Sequence, residues 1–140
     1  MQGNEFIKIL LRSPLHGLFS GNLMLITVTG RKSGRAFTTP VNYYSDGDTL
    51  WVISNRNRNW WRNVCGGAEV TLRLKGRDVR ARAESILDEQ TVAKQIVEYV
   101  HHLPMSARPL GVRLQNGIPN CEDTARLAKE RLFEKLCLEN

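Results

Sequence analysis

Leu23-Met24-Leu25-Ile26-Thr27-Val28-Thr29-Gly30-Arg31-Lys32-Ser33-Gly34-Arg35-Ala36-Phe37-Thr38-Thr39-Pro40-Val41-Asn42-Tyr43-Tyr44 is the stretch whose reading decides the fold. Two runs rich in apolar, β-branched and aromatic residues flank a short turn, which predicts antiparallel strands over 23–29 and 36–44. The turn, residues 30–35, holds three cations, one hydroxyl and two glycines. Glycine lets the backbone approach a ligand closely, and N–H groups beside Arg and Lys suit a phosphate. The same hexapeptide also suits a solvated hairpin, so its role depends on its surroundings.

Working outward, Asp46-Gly47-Asp48 turns the chain into Thr49-Leu50-Trp51-Val52-Ile53-Ser54, a third strand that is apolar on both faces and therefore central. A polar, aromatic loop follows over 55–67, with a helical turn near Trp60-Trp61-Arg62-Asn63-Val64 stopped by Gly66-Gly67. Val70, Leu72 and Leu74 alternate with Thr71 and Arg73, Lys75-Gly76 turns the chain, and Val79, Ala81 and Ala83 alternate with Arg80, Arg82 and Glu84. That period of two predicts a hairpin with one buried face. Asp88 caps a helix whose stripe is Val92, Ile96, Tyr99, Val100 and Leu103.

Residues 104–119 read as a long loop, and Asn120 with Asp123 starts a helix running to about Lys129. The tail from Leu132 to Leu138 either continues that helix or forms a last strand. Residues 5–19 read as helical in two pieces around Pro14. Five strands in meander order, with a sixth at the end, predict a mainly β fold with peripheral helices (α+β). About six antiparallel strands closing into a barrel leave no exposed edge. At 140 residues, one domain spanning 1–140 is expected.

Composition is ordinary, with 41% hydrophobic and 24% charged residues. No apolar run reaches about 18 residues, so no transmembrane segment is expected. The N-terminus lacks a basic region followed by an apolar core, and a cytoplasmic location is expected. Cys65, Cys121 and Cys137 share no metal spacing and read as reduced thiols packed as small hydrophobes. His16, His101 and His102 add no ligand pattern, so no metal site is expected. No nucleophile–base arrangement, phosphate-binding Walker loop or Rossmann glycine pattern is present.

The net charge of +6 is uneven: between Arg31 and Arg62 lie six basic residues and two acids, and both acids sit in the 46–48 turn. Such a field attracts a polyanion, whether a phosphorylated cofactor, a nucleic acid or an anionic lipid surface. In a meander, the first turn and the end of the third strand lie at one end of the sheet, so residues 30–35 and 55–62 converge. Ser54-Asn55-Arg56-Asn57-Arg58-Asn59 is dense in hydrogen-bond donors. Trp60 and Trp61 cannot both face one core, which frees one ring to cover a ligand. Tyr43 and Tyr44 point to opposite faces of their strand, so at most one lines a pocket as proton donor or orienting group. Pro40 marks an edge or bulge whose opened backbone could bond a planar ring.

The segment 25–35 followed by Thr38-Thr39-Pro40-Val41, the hairpin Asp46-Gly47-Asp48, the strand end Ser54-Asn55, and Trp60 with Asn63 together resemble the deazaflavin (F420)-dependent nitroreductase family, part of the flavin/deazaflavin oxidoreductase group. The resemblance is strong over about 22–85. It implies an FMN-binding-like split β-barrel and coenzyme F420, a deazaflavin with a phosphate and an acidic oligoglutamate tail. Arg31, Lys32, Ser33 and Gly34, with Arg35 beside them, match the segment holding that charged end. Thr39 and Pro40 match positions beside the ring, and Ser54 and Asn55 match the strand end near the cofactor. Arg56 and Arg58 lie in the loop before Trp60, which matches the tryptophan of the short helix.

Two departures stand out: that loop is shortened to Arg56-Asn57-Arg58-Asn59, and residues 104–130 are inserted before the last element. The implied function is hydride transfer from reduced F420 to a small conjugated acceptor (quinone, enone or nitroaromatic), in a homodimer. FMN is the alternative cofactor. Two further readings are a nucleic-acid module using Arg56, Arg58, Arg62 and the tryptophans, which is not favoured, and a barrel that binds its ligand without turnover.

Overall fold

The computed structural model describes residues 22–139, so the expected N-terminal helices lie outside the described residues. Strands β1 (Leu23–Thr29), β2 (Ala36–Asp46), β3 (Thr49–Asn55), β4 (Ala68–Leu74), β5 (Arg77–Ile86) and β8 (Arg131–Leu138) form a closed antiparallel barrel in the order β1-β2-β3-β8-β5-β4. Helices α1 (Glu89–His102), α2 (Ala107–Leu110) and α3 (Cys121–Glu130) lie outside it, and a two-stranded ribbon pairs β6 (Leu114–Gln115) with β7 (Ile118–Pro119).

The barrel corrects the expected meander. Hairpins join β1 to β2, β2 to β3 and β4 to β5, but β3 and β4 are not neighbours. β8 enters between β3 and β5, and β4 closes the barrel on β1 through Leu25–Arg73 to Thr27–Thr71. Local alternation specifies each hairpin, whereas the closing pairs join residues distant in sequence. The tail is therefore a strand. Leu132, Phe133 and Glu134 are buried in succession because β8 is covered on both faces.

Inward residues Ile26 and Val28, Val41 and Tyr43, Leu50 and Val52, Val70 and Leu72, Ala81 and Ala83, and Leu136 pack as one core. Outside β3 and β8, Tyr44, Trp51, Ile53 and Phe133 meet Val92, Ile96, Tyr99, Val100 and Leu103 of α1 in a second core. That second core is why β3 is apolar on both faces. Asp88 caps α1 by accepting from the Thr91 N–H at 2.9 Å.

Residues 104–119 are more ordered than the expected loop: a 3₁₀ turn (Pro104–Ser106), α2 and the ribbon occupy them. Cys121 and Cys137 are exposed rather than packed, and Cys65 is half-buried. Among the described residues no group of three His, Cys, Asp or Glu is placed to hold a metal, and no helix is long and apolar enough to cross a membrane.

Asp123 fixes the inserted segment. It accepts from the Arg113 backbone N–H and Nε at 2.9 Å each, and Arg126 lies 3.3 Å from its other oxygen. The Arg113 side-chain and backbone hydrogen bonds hold its carboxyl down at about 2. A lowered carboxyl contributes stability above its unfolded value and loses it as pH falls through the folded one. Asp123→Asn is expected to lower the melting temperature at pH about 7, with the gap to wild type closing towards pH about 2. Thermal unfolding across that range checks it, and a gap that does not depend on pH would refute it.

Candidate functional site

The 30–35 turn is built by its own backbone. The Gly30 N–H donates to the Arg35 carbonyl and the Gly34 N–H to the Gly30 carbonyl, both at 2.8 Å. Gly34 sits at φ +71°, a left-handed conformation that costs an L side chain free energy. Ser33 Oγ accepts from the Arg35 N–H at 3.2 Å and fills the space where a Cβ on Gly30 would lie, 2.8 Å away.

Opposite stands the 3₁₀ helix Trp60–Val64, whose Trp60 and Val64 close one end of the barrel core. The turn and this helix are laced together: the Arg31 N–H donates to Asn63 Oδ1 at 3.2 Å, and the Arg31 guanidinium donates to the Cys65 carbonyl. The expected convergence of the two loops is therefore a direct contact.

Between them the sheet splits. β2 pairs with β1 over its first seven residues, but with β3 only from Tyr43 to Asp46. The Tyr43 N–H donates towards β1, onto the Asn22 carbonyl. By the alternation of a strand, the polar groups of Thr38 and Pro40 then face the open side. Pro40 sits where its missing N–H costs no ladder bond, in accord with the edge reading.

A cavity of about 1100 Å³ opens at this split, lined by the turn, by β2 at Ala36, Phe37 and Thr39, and by residues 57–60 with Arg62 and Asn63. Among the described residues, Arg31, Lys32, Arg35, Arg58 and Arg62 border it, and no carboxylate does. Uncompensated cations around one concavity focus a positive potential there. Phe37 is 49% exposed and, with Thr39, continues the inward face of Val41 and Tyr43 beyond the closed barrel. Trp60, only 8% exposed, faces the same space from the helix.

Of the residues singled out from sequence, Arg31, Lys32, Ser33, Arg35, Thr39, Arg58 and Trp60 meet at the cavity. Gly34 shapes the turn, and Pro40 lies on the strand opposite Leu25. Ser54 is buried inside the barrel, and among the described residues its hydroxyl has no hydrogen-bond partner. The Asn55 carbonyl accepts from the Arg58 N–H at 3.1 Å and so shapes the loop.

Arg56 departs most from expectation. Its Nε donates to the Arg131 carbonyl at 2.7 Å, and its Nη2 to the Leu87 and Ala128 carbonyls at 2.6 and 3.0 Å. It clamps the end of α3 rather than lining the cavity. Tyr43 and Tyr44 do face opposite sides, but neither lines the cavity: Tyr43 packs in the barrel core, and Tyr44 packs on α1. Burial raises the Tyr43 hydroxyl and, with nearby Glu98 and Asp46, pushes Tyr44 up to about 12. Tyr44 stacks on His102 at 4.5 Å and accepts from Gln95. Trp61 packs on the core edge, its indole N–H 3.3 Å from the Arg56 carbonyl. Phe37 is one of the cavity residues absent from the predicted set, with Ala36, Asn57, Asn59, Arg62 and Asn63, although counting back by twos from Tyr43 leads to it.

A closed six-stranded antiparallel barrel, split beside a cationic cavity and flanked by helices, belongs to the FMN-binding-like split β-barrel class. Solved structures share the fold at low identity. They include a protein of unknown function from Agrobacterium tumefaciens (TM-score 0.58, 17% identity, 100% of this chain and 57% of that one). An FAD-binding protein from Mesorhizobium loti gives a TM-score of 0.55 at 15% identity, over 100% and 91% of the two chains. An FAD- and heme-binding protein from Mycobacterium smegmatis gives 0.53 at 14%, over 84% and 61%. The chain thus spans about 60% of the length of the Mycobacterium and Agrobacterium proteins. No curated protein matches it. The family model for F420H(2)-dependent quinone reductase matches residues 12–108, and the chain belongs to this family of oxidoreductases.

Proposed function

We propose that this chain is an F420H2-dependent reductase whose split-barrel cavity holds the cofactor beside a small conjugated acceptor: a quinone, an enone or a nitroaromatic. One observation carries the reading: among the described residues, five cations and no carboxylate line a single cavity of about 1100 Å³. A cofactor ending in a phosphate and several carboxylates fits that charge. The side of β2 that does not pair with β3 at Thr38 and Pro40 presents backbone polar groups to a planar ring, and Phe37 and Trp60 offer aromatic surface. When bound, reduced F420 supplies a hydride.

Lys32, Arg35 and Arg58 hold negative charge, the Arg31–Asn63 bond keeps the two walls together, and Trp60 shields the ring from water. Tyr43 and Tyr44 stand away from the cavity, so the acceptor's proton comes from solvent through its open mouth. FMN is the second reading, favoured by the FAD bound by proteins of the same fold from Mesorhizobium loti and Mycobacterium smegmatis. A homodimer, a cytoplasmic location and one domain over 1–140 complete the proposal.

Loss of F420H2 absorbance with a panel of the three acceptor classes tests it. Turnover with at least one class, at kcat of about 1 s⁻¹ or more, is expected. Tight binding with no turnover across the panel would instead identify a ligand-storage barrel. Retention of generic DNA at physiological salt, without F420 binding, would establish the nucleic-acid reading.

A further inference from the structure

Glu134 lies inside the barrel with no solvent exposure. It shares the inward face of β8 with Leu136, opposite Val52 of β3 and Ser85 of β5. Ser85 Oγ is 2.8 Å from Glu134 Oε2 and 3.1 Å from the Trp61 carbonyl oxygen. A serine hydroxyl has one proton to donate, and a carbonyl only accepts. Both contacts can be full two-centre hydrogen bonds, rather than one proton shared between two acceptors, only if Ser85 donates to Trp61 and Glu134 donates to Ser85. Glu134 is then the protonated acid.

Its surroundings agree. Burial pushes its carboxyl up to about 8, with the Ser85 contact a smaller, opposing influence. Among the described residues its Oε1 has no hydrogen-bond partner, and neither does the Ser54 hydroxyl two residues along β3. An unpaired oxygen is far cheaper to bury on a neutral acid than on a carboxylate. Among the described residues no charged side chain faces it: β3 presents Val52 and Ser54, β5 presents Ala83 and Ser85, β8 presents Leu132 and Leu136, and the 3₁₀ helix presents the Trp61 carbonyl.

That carbonyl belongs to the helix whose Trp60 and Asn63 form one cavity wall, and Asn63 accepts from the Arg31 N–H of the other wall. A chain of hydrogen bonds and helix backbone thus runs from the barrel interior to both walls. We propose that Glu134 is a positioning residue for the cavity, holding the Trp60–Val64 helix in place through Ser85 while it carries its proton. The idea rests on the cofactor-site reading for its consequence, but its mechanism is readable without cofactor.

When the proton leaves, the Ser85 hydrogen turns to the carboxylate, the stronger acceptor, and the Trp61 carbonyl loses its donor. The sign for stability follows: the folded chain keeps a proton that the unfolded chain releases near 4.5, so stability falls as pH rises from there towards about 8. Glu134→Gln places an amide N–H where the acid hydroxyl stood and keeps the donor at every pH.

The test titrates the cofactor-free protein from about pH 6 to about pH 10, across the raised carboxyl. It follows the infrared carbonyl stretch of a protonated acid and the indole N–H resonances of Trp60 and Trp61. In wild type, the acid band is expected at neutral pH and is lost near 8, and the indoles shift with the same midpoint. Glu134→Gln removes both transitions, and Ser85→Ala keeps the acid band but uncouples the indoles. The Kd for F420 should weaken by about tenfold across the transition in wild type and stay flat in Glu134→Gln, the loss of one hydrogen bond.

No acid band at neutral pH, or an indole transition that survives Glu134→Gln, would overturn the proposal. Failure of F420 to bind at all would overturn the function reading while leaving the indole coupling to stand or fall by itself.

Discussion

Reversing charge at Lys32 and Arg58 together (Lys32→Glu with Arg58→Glu) is expected to raise the Kd for F420 at least about a hundredfold. Each charge-assisted hydrogen bond to an anion contributes about 1.5–3 kcal/mol, and about 1.4 kcal/mol is a factor of ten. Both side chains border the cavity from opposite walls, so one phosphorylated, polycarboxylate ligand meets both. The residual binding should also lose salt sensitivity, because screening acts on the charges removed. Arg31 is the poorer choice despite its place in the turn. Its N–H and guanidinium hold the helix wall, so a change there mixes lost charge with a displaced wall. Fluorescence titration at low and high salt, with melting curves as the fold control, checks the result. Unchanged affinity in a folded double variant would remove the charge-cradle role.

Arg56→Ala should act on stability instead. Its guanidinium donates to three carbonyls, two near the α3–β8 junction and one just beyond β5. Removing it leaves those acceptors without a charged donor at a half-buried site, a loss of about 3 kcal/mol. For a chain of this size that is a fall of about 10 °C in melting temperature. The F420 affinity of the folded fraction should change by less than about threefold, under 1 kcal/mol. Lys in its place restores little, because an ammonium cannot fork to separate carbonyls. A large affinity loss at unchanged melting temperature would place Arg56 back among the cofactor's partners.

Arg56 also shows what the sequence could and could not say. Alternating Asn and Arg in a loop of cations reads as one ligand-facing set, and Arg58 fits it. Arg56 differs because α3 and β8, more than 70 residues later, bring backbone carbonyls to it, and no local pattern announces such a contact. The same limit governs the strand order: hairpins are written in adjacent residues, while the insertion of β8 between β3 and β5 is a long-range choice. The Tyr43/Tyr44 alternation and the convergence of residues 30–35 with the 55–62 loop were legible because each follows from strand geometry alone. Glu134 was not singled out from sequence, because a tail readable as helix or strand assigns it no face, and its role needed Ser85 and Trp61 beside it.

The most direct measurement of the central claim is parallel titration of the purified protein with F420 and with FMN. Saturable F420 binding with a Kd in the micromolar range, about 8 kcal/mol, and tighter than that of FMN is the predicted result. No saturable binding of F420 below about millimolar, where affinity is only about 4 kcal/mol, would contradict the account.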